Sequence, residues 1–218
     1  MAFRAIPGKV IRNALFALGV MVLLAAGAGE ARAHGFNIAF VAPLSGPAAH
    51  QGRQALDGFL LATRERDGHA FEEADGHLGG LDSYVIRIDS GRGLEAVRGQ
   101  LGDLIRDGGV FFLTGVSVSE TLAATGVVLD PGQAILIDAA DSPVYRSAAK
   151  APESLVTKDK VPFSAAFRDA NGSDADANAV TGYIAARFID AAVSAVQGDF
   201  SRREAMDRAL EHARQHLP

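Results

Sequence analysis

An apolar run that ends in a tight polar turn and reopens as a helix constrains this chain more than any other segment. Residues 36–58 read Phe-Asn-Ile-Ala-Phe-Val-Ala-Pro-Leu-Ser-Gly-Pro-Ala-Ala-His-Gln-Gly-Arg-Gln-Ala-Leu-Asp-Gly. Phe36 to Ala42 carries apolar residues on both faces of an extended chain, as a strand inside a parallel sheet requires. Ser45-Gly46-Pro47 makes the turn. Gln51 to Arg66 then reads as a helix, with Leu56, Phe59, Leu60 and Thr63 on one side at i, i+3, i+4, i+7 spacing. In an open α/β sheet, small ligands bind beyond the carboxyl ends of the strands. Backbone N–H groups converge there, and the helix dipole favours anions.

The alternation continues. Asp67 to Asp82 is Gly-rich and irregular, Ser83 to Asp89 is a second strand, and Leu94 to Asp107 a second helix. Val110 to Leu113, Ser119 to Leu129 and Ala134 to Asp138 read as strand, helix and strand, with Asp130-Pro131-Gly132 ending the helix. Strands alternating with helices imply a parallel sheet with right-handed crossovers. The turns at Pro43–Gly46, Asp89–Gly93, Thr114–Ser119 and Ala139–Ser142 must then share one sheet edge. Tyr145 to Lys160 has no clear period and reads as a linker. Beyond it come helices at Val161–Ala170, Ala175–Val196 and Arg203–His216. Asp174 or Asp176 would cap the second of these, Gly198 would end it, and Ser201 with Glu204 would form a capping box for the third. The expectation is an α/β fold: a parallel sheet of about four to five strands flanked by helices, a single Rossmann-like or flavodoxin-like lobe, with a helical C-terminal part. Its parts are βα repeats over 34–147, a linker over 148–160 and helices over 161–218.

The first 33 residues read differently. Arg4, Lys9 and Arg12 precede an apolar stretch from Ala14 to Ala28, and Ala31-Arg32-Ala33 matches a small-residue cleavage site. The stretch is shorter than the roughly 20 residues a membrane span needs. A cleaved export signal is expected, with the processed chain starting at His34 in the periplasm. The whole chain carries a formal charge of −5, and loss of Arg4, Lys9, Arg12 and Arg32 with Glu30 makes the remainder more acidic. An acidic chain with no basic cluster is a poor partner for nucleic acid. There is no cysteine, so export brings no disulfide and stability must come from packing.

Ala42-Pro43-Leu44-Ser45-Gly46-Pro47, then Gly52, then Ala55-Leu56-Asp57-Gly58, resembles the first strand, ligand loop and helix of the periplasmic solute-binding proteins of branched-chain amino-acid ABC transporters, the leucine-binding type I family. Thr114-Gly115 to Ser119 with Ala123-Ala124, and Ala139-Ala140-Asp141-Ser142-Pro143, are similar to its third and fourth loops. Pro162-Phe163 to Ala166-Phe167-Arg168, then Ala179 to Ala192, is similar to its late helices. Between these blocks the family carries a second α/β lobe, for which this chain has only the segment around Tyr145–Lys160. The resemblance implies a binding protein reduced to one lobe.

It also implies a site. The serine that holds the ligand carboxylate maps to Ser119, or to Ser117 in a shifted alignment. The fourth-loop alanine maps to Ala139 and the following threonine or serine to Asp141. The aromatic after the Ser-Gly-Pro turn maps to Gln51 or His50, so its stacking contact is lost. With Ser45, these are the ligand-binding candidates. A carboxylate at Asp141 about 4 Å from a ligand carboxylate would cost on the order of 4 kcal/mol at an effective dielectric near 20.

Other constellations carry less. Gly91-x-Gly93-x-x-Ala96 mimics a dinucleotide fingerprint, but on the second strand. His212 and His216 lie at i, i+4 with no third ligand evident. His34, as a processed N-terminus, has an amine and a ring to offer copper. Asp169–Asn178 lacks the spacing and final glutamate of a calcium loop. No serine sits in a G-x-S-x-G elbow and there is no cysteine nucleophile. The expected function is solute binding without catalysis, cofactor or metal, weak or altered by the missing lobe. The partners would be a small polar solute and an ABC permease or another periplasmic protein. A homodimer would rebuild a cleft. A protein-interaction module derived from the lobe is the alternative.

Overall fold

The computed structural model describes residues 34–65, 73–130 and 132–217. The expected export signal lies outside them. Five strands form one sheet: β1 Gly35–Ala42, β2 His77–Leu78, β3 Leu81–Asp89, β4 Phe112–Gly115 and β5 Ile135–Ile137, in the order β2-β3-β1-β4-β5. β1 pairs in parallel with β3 and β4, and β4 in parallel with β5. β2 adds an antiparallel edge to β3 through His77↔Asp82 and Leu78↔Leu81. Seven α-helices flank the sheet among the described residues: α1 Ala49–Arg64, α2 Leu94–Arg106, α3 Val118–Thr125, α4 Pro143–Lys150, α5 Phe163–Asn171, α6 Ala177–Val196 and α7 Arg203–Gln215.

β1 is the centre because both of its faces are apolar. Phe36, Ile38, Phe40 and Ala42 enter the larger core with Phe59 of α1 and Ile184 and Phe188 of α6. Ala39 and Val41 enter the second core with Val97, Leu101 and Ile105 of α2 and Leu122 of α3. Side chains alternate across a strand, so this division places helices on both faces of the sheet. Phe40 and Phe59 meet edge to face with centroids 5.1 Å apart, an arrangement aromatic quadrupoles favour.

α6 is long and apolar enough to cross a membrane, but 78% of that window is buried inside the lobe, as in a core helix. It crosses α1 at glycine. A Cβ on Gly58 would lie 2.0 Å from the Ala179 carbonyl oxygen, and one on Gly182 would lie 1.8 Å from that of Ala55. Asp176 caps α6, accepting from the N–H groups of Asn178 and Ala179. The acidic run at 169–178 therefore includes a cap, as a helix start favours. α6 ends at Val196 and is capped by Gln197 in the left-handed region at φ 52°, one residue before the expected Gly198.

Three local expectations fail. The segment from Tyr145 is not irregular throughout: Ser142 caps α4 by accepting from the Tyr145 N–H at 3.0 Å, and Pro143 occupies its first turn. The Gly-rich segment before β3 contains β2. The capping box at Ser201 is absent, because the Ser201 hydroxyl donates to Asp199 at 2.6 Å and α7 starts at Arg203 without a side-chain cap.

Candidate functional site

Because β1, β3, β4 and β5 run parallel, their carboxyl ends point the same way, and the turns that follow them form one edge. Ser45 lies after β1, Ser117 and Ser119 after β4, and Ala139 and Asp141 after β5. Gln51 is exposed on the first turn of α1. The edge is knitted together by Asp89, the last residue of β3. Its Oδ1 accepts from the N–H groups of Leu44 at 2.8 Å, Ser45 at 3.1 Å and Gly91 at 2.9 Å. Gly91 has no room for a side chain, since a Cβ there would lie 2.2 Å from the Ser45 carbonyl oxygen. The glycine of the dinucleotide-like motif is thus spent on holding two loops of this chain together.

Burial pushes the Asp89 carboxyl up, but hydrogen bonds from the Ser45 hydroxyl and from the Leu44, Gly91 and Ser45 N–H groups outweigh it and hold the group below the usual carboxylate value. A carboxylate with a depressed folded pKa stabilises the protein above its unfolded pKa and ceases to do so as pH falls through the folded value. Replacement of Asp89 by alanine is expected to cost about 1 kcal/mol at neutral pH. That is below the roughly 1.5–3 kcal/mol of a hydrogen bond to a charged group, because solvent reaches the loop. Urea titration at pH 7 and at pH 3 checks this, with the difference between the two proteins narrowing at the acid end.

Ser119 is partly buried and its hydroxyl donates to Asp138 Oδ2 at 2.6 Å. The serine that would hold a ligand carboxylate therefore serves a carboxylate of this chain. Ser117 is exposed, in the left-handed region at φ 47°, and its carbonyl accepts from the Thr121 N–H and hydroxyl. Ala139 is buried, and its carbonyl accepts from the Ser142 hydroxyl at 2.8 Å. Asp141 is exposed, and its carbonyl accepts from Arg146 at 2.6 Å. His50 approaches Asp176 at 3.8 Å.

Two residues with direct bearing on the edge, Asp89 and Asp138, are not among the ligand-binding candidates of the sequence. Asp138 directly follows β5 and opens the loop that holds Ala139. Asp89 precedes Ser90-Gly91, and an Asp two residues before a backbone donor is the signature of an Asx turn. Among the described residues no group of three His, Cys, Asp or Glu side chains is placed to hold a metal. His212 and His216 stack with ring centroids 5.2 Å apart.

No protein-family model matches the sequence, and no curated protein matches it. Solved structures do match. An ABC transporter substrate-binding protein from Sphaerobacter thermophilus aligns over 81% of this chain and 85% of its own, with TM-score 0.53 and 14% identity. The fold is that of a solute-binding protein lobe. A solute-binding protein of an ABC transporter from R. palustris, solved in complex with benzoate, aligns over the same shares with TM-score 0.48 and 12% identity. In the helical C-terminal part, α6 packs along α1 and into the larger core that it shares with β1.

Proposed function

We propose that this chain is an exported, non-catalytic solute-binding domain of the ABC-transporter type, reduced to one lobe, that holds a small polar solute weakly at the carboxyl edge of its sheet. The observation that carries the reading is the convergence of the turns after β1, β3, β4 and β5 on one edge of a solute-binding fold. The Ser45-Gly46-Pro47 turn and the Ala55–Gly58 segment inside α1 support the branched-chain amino-acid branch of that fold. The leader-like first 33 residues support the periplasm.

The chemistry of the edge narrows the solute. Asp89 already accepts from the Leu44 and Ser45 N–H groups, and Asp138 from the Ser119 hydroxyl. Donors that would meet a ligand carboxylate are thereby satisfied, and Asp138 and Asp141 bring negative charge of their own. A solute that presents an amine, amide or hydroxyl, and no carboxylate in the usual pose, fits best. One lobe covers a solute on one side, against the 70–90% burial of a ligand in a closed cleft, so millimolar affinity is expected, about −4 kcal/mol.

Calorimetric titration with leucine and leucinamide tests this. Leucinamide is expected to bind in the millimolar range and more tightly than leucine. Tighter binding of leucine, or no heat from either at about 10 mM, contradicts it.

A second reading has its own support. The committed state of the edge donors suits a protein-interaction module that kept the lobe and lost transport. A silent titration together with co-purification of one periplasmic protein, dependent on the Ser45–Asp89 loops, would favour it.

A further inference from the structure

The last turn of α7 carries two histidines on one side. His212 and His216 are four residues apart, the spacing that sets side chains above one another on a helix face. Both are exposed, and their rings meet with centroids 5.2 Å apart and planes 25° apart. The backbone beneath them is fixed. The His216 N–H donates to the His212 carbonyl at 2.9 Å and closes the helix. Met206, Leu210 and Ala213 bury the inner side of α7 in the larger core, so the pair stands on an anchored element.

Neutral imidazole is the commonest protein ligand of the borderline transition metals, and two rings at i, i+4 on one helix face offer a chelate to a single ion. Nitrogens that each lie about 2.0–2.1 Å from an ion are about 3 Å from one another. Rings already in contact reach that spacing by turning about their own side-chain bonds, and exposed side chains change rotamer readily. The pair also stands at the carboxyl end of a 13-residue helix, where the dipole favours a cation. Two cationic side chains lie nearby. Arg208, one turn earlier, faces Glu204 at 3.7 Å, and both are exposed. Lys160, also exposed, borders a groove that His212 lines. Charges at such exposed positions are screened by salt, whereas metal–nitrogen bonds form at contact. Among the described residues no third His, Cys, Asp or Glu converges on the pair. Two protein ligands fall short of the four of a structural zinc site and leave the other positions to water. The ion that such a pair takes is therefore an exchangeable one.

We propose that His212 and His216 form a surface chelate for a divalent transition-metal ion, taking Cu(II) more tightly than Zn(II) and leaving Mg(II) and Ca(II), which prefer oxygen ligands, in solution. The chelate lies on α7, apart from the carboxyl edge, and does not depend on the solute reading. The test uses untagged protein. Zn(II) is followed through imidazole ¹H–¹⁵N NMR spectra. Cu(II) is followed by electron paramagnetic resonance in a His34→Gln background, which removes the ring at the expected processed N-terminus. Expected are His212 and His216 resonances that move together and saturate with Zn(II) in the micromolar range, tighter binding of Cu(II) with both ring nitrogens coupled to the copper, and no response to Mg(II). His212→Gln and His216→Gln are each expected to weaken Zn(II) about thirtyfold or more, because either leaves a single ring. Both rings are exposed, so these variants should fold as the parent does. Zn(II) should raise the thermal midpoint of the parent and of neither variant, since the ion ties together the last turn of folded α7. Resonances that stay still or move singly, a variant with parent-like affinity, an equal response to Mg(II), or a copper signal unchanged in both variants would overturn the proposal.

Discussion

Gly182→Val is expected to leave the lobe without a cooperative fold, with near-UV circular dichroism lost and no thermal transition. The reason is backbone against backbone. A Cβ at Gly182 would stand 1.8 Å from the Ala55 carbonyl oxygen and 2.7 Å from its carbon, and one at Gly58 would stand 2.0 Å from the Ala179 oxygen. A crowded side chain can change rotamer, but here the obstacle is the rigid main chain of the facing helix. Overpacking a core that can adjust costs about 1–3 kcal/mol. Separating α1 from α6 costs more, because Phe59, Ile184 and Phe188 share the same core and would lose their contacts together. Against a total stability of about 5–15 kcal/mol, that is enough to unfold the lobe. Gly99→Ala is the control. Nothing lies within 4 Å of a Cβ there, and the position is inside α2. It is expected to stabilise by about 0.5–1 kcal/mol through helix propensity. A Gly182→Val protein that unfolds within about 1 kcal/mol of the parent would refute this account of the crossing.

The sheet and its flanking helices were readable because each rests on local periodicity. Phe36 to Ala42 can only be a strand buried on both faces, and the stripe of Val97, Leu101 and Ile105 can only be the inner side of a helix. α4 escaped because its start is written in Ser142 and Pro143, just before the segment that lacks a period, and because it buries only Ala148. β2 has two residues, too few for any alternation to show. The edge was legible in the same way: order of strands and position of turns suffice to bring Ser45, Ser119 and Ala139 to one side. What those residues do there was not legible. The bond from Ser119 to Asp138 spans 19 positions and the bonds from Leu44 and Ser45 to Asp89 span 45 and 44, and no window of sequence displays such pairings. Residue type allowed a ligand donor at Ser119, and geometry commits it to Asp138.

The network of Glu65, Tyr183 and Arg187 is hidden for the same reason and has the second large expected effect. Arg187→Met is expected to lower stability by about 3–5 kcal/mol, the usual result of removing one partner from a buried ion pair. Glu65 and Arg187 are each 5% exposed and 3.8 Å apart. Tyr183 lies between them, donating to Glu65 Oε1 at 2.5 Å and accepting from Arg187 at 2.9 Å, while the Lys158 N–H donates to Glu65 Oε2 at 3.3 Å. Without the guanidinium, the Glu65 carboxylate stays buried and loses the cation that faces it. Replacing both members, as Glu65→Leu with Arg187→Met, removes the stranded charge and is expected to recover most of the loss. Tyr183 supplies a second readout. Burial and the bond to Glu65 push its phenol far above the ordinary value of 10.0. The folded state therefore keeps a proton that the unfolded state releases, and stability is full below pH 10 and falls as pH rises beyond it. Arg187 opposes that rise in pKa, so its loss should leave the high-pH decline intact, whereas Tyr183→Phe should abolish it. Urea midpoints at pH 7 and pH 10.5, with unchanged slopes, measure all of this. A single-variant loss under about 1 kcal/mol, or a double variant as unstable as the two singles added together, would show that the pair contributes nothing to the fold.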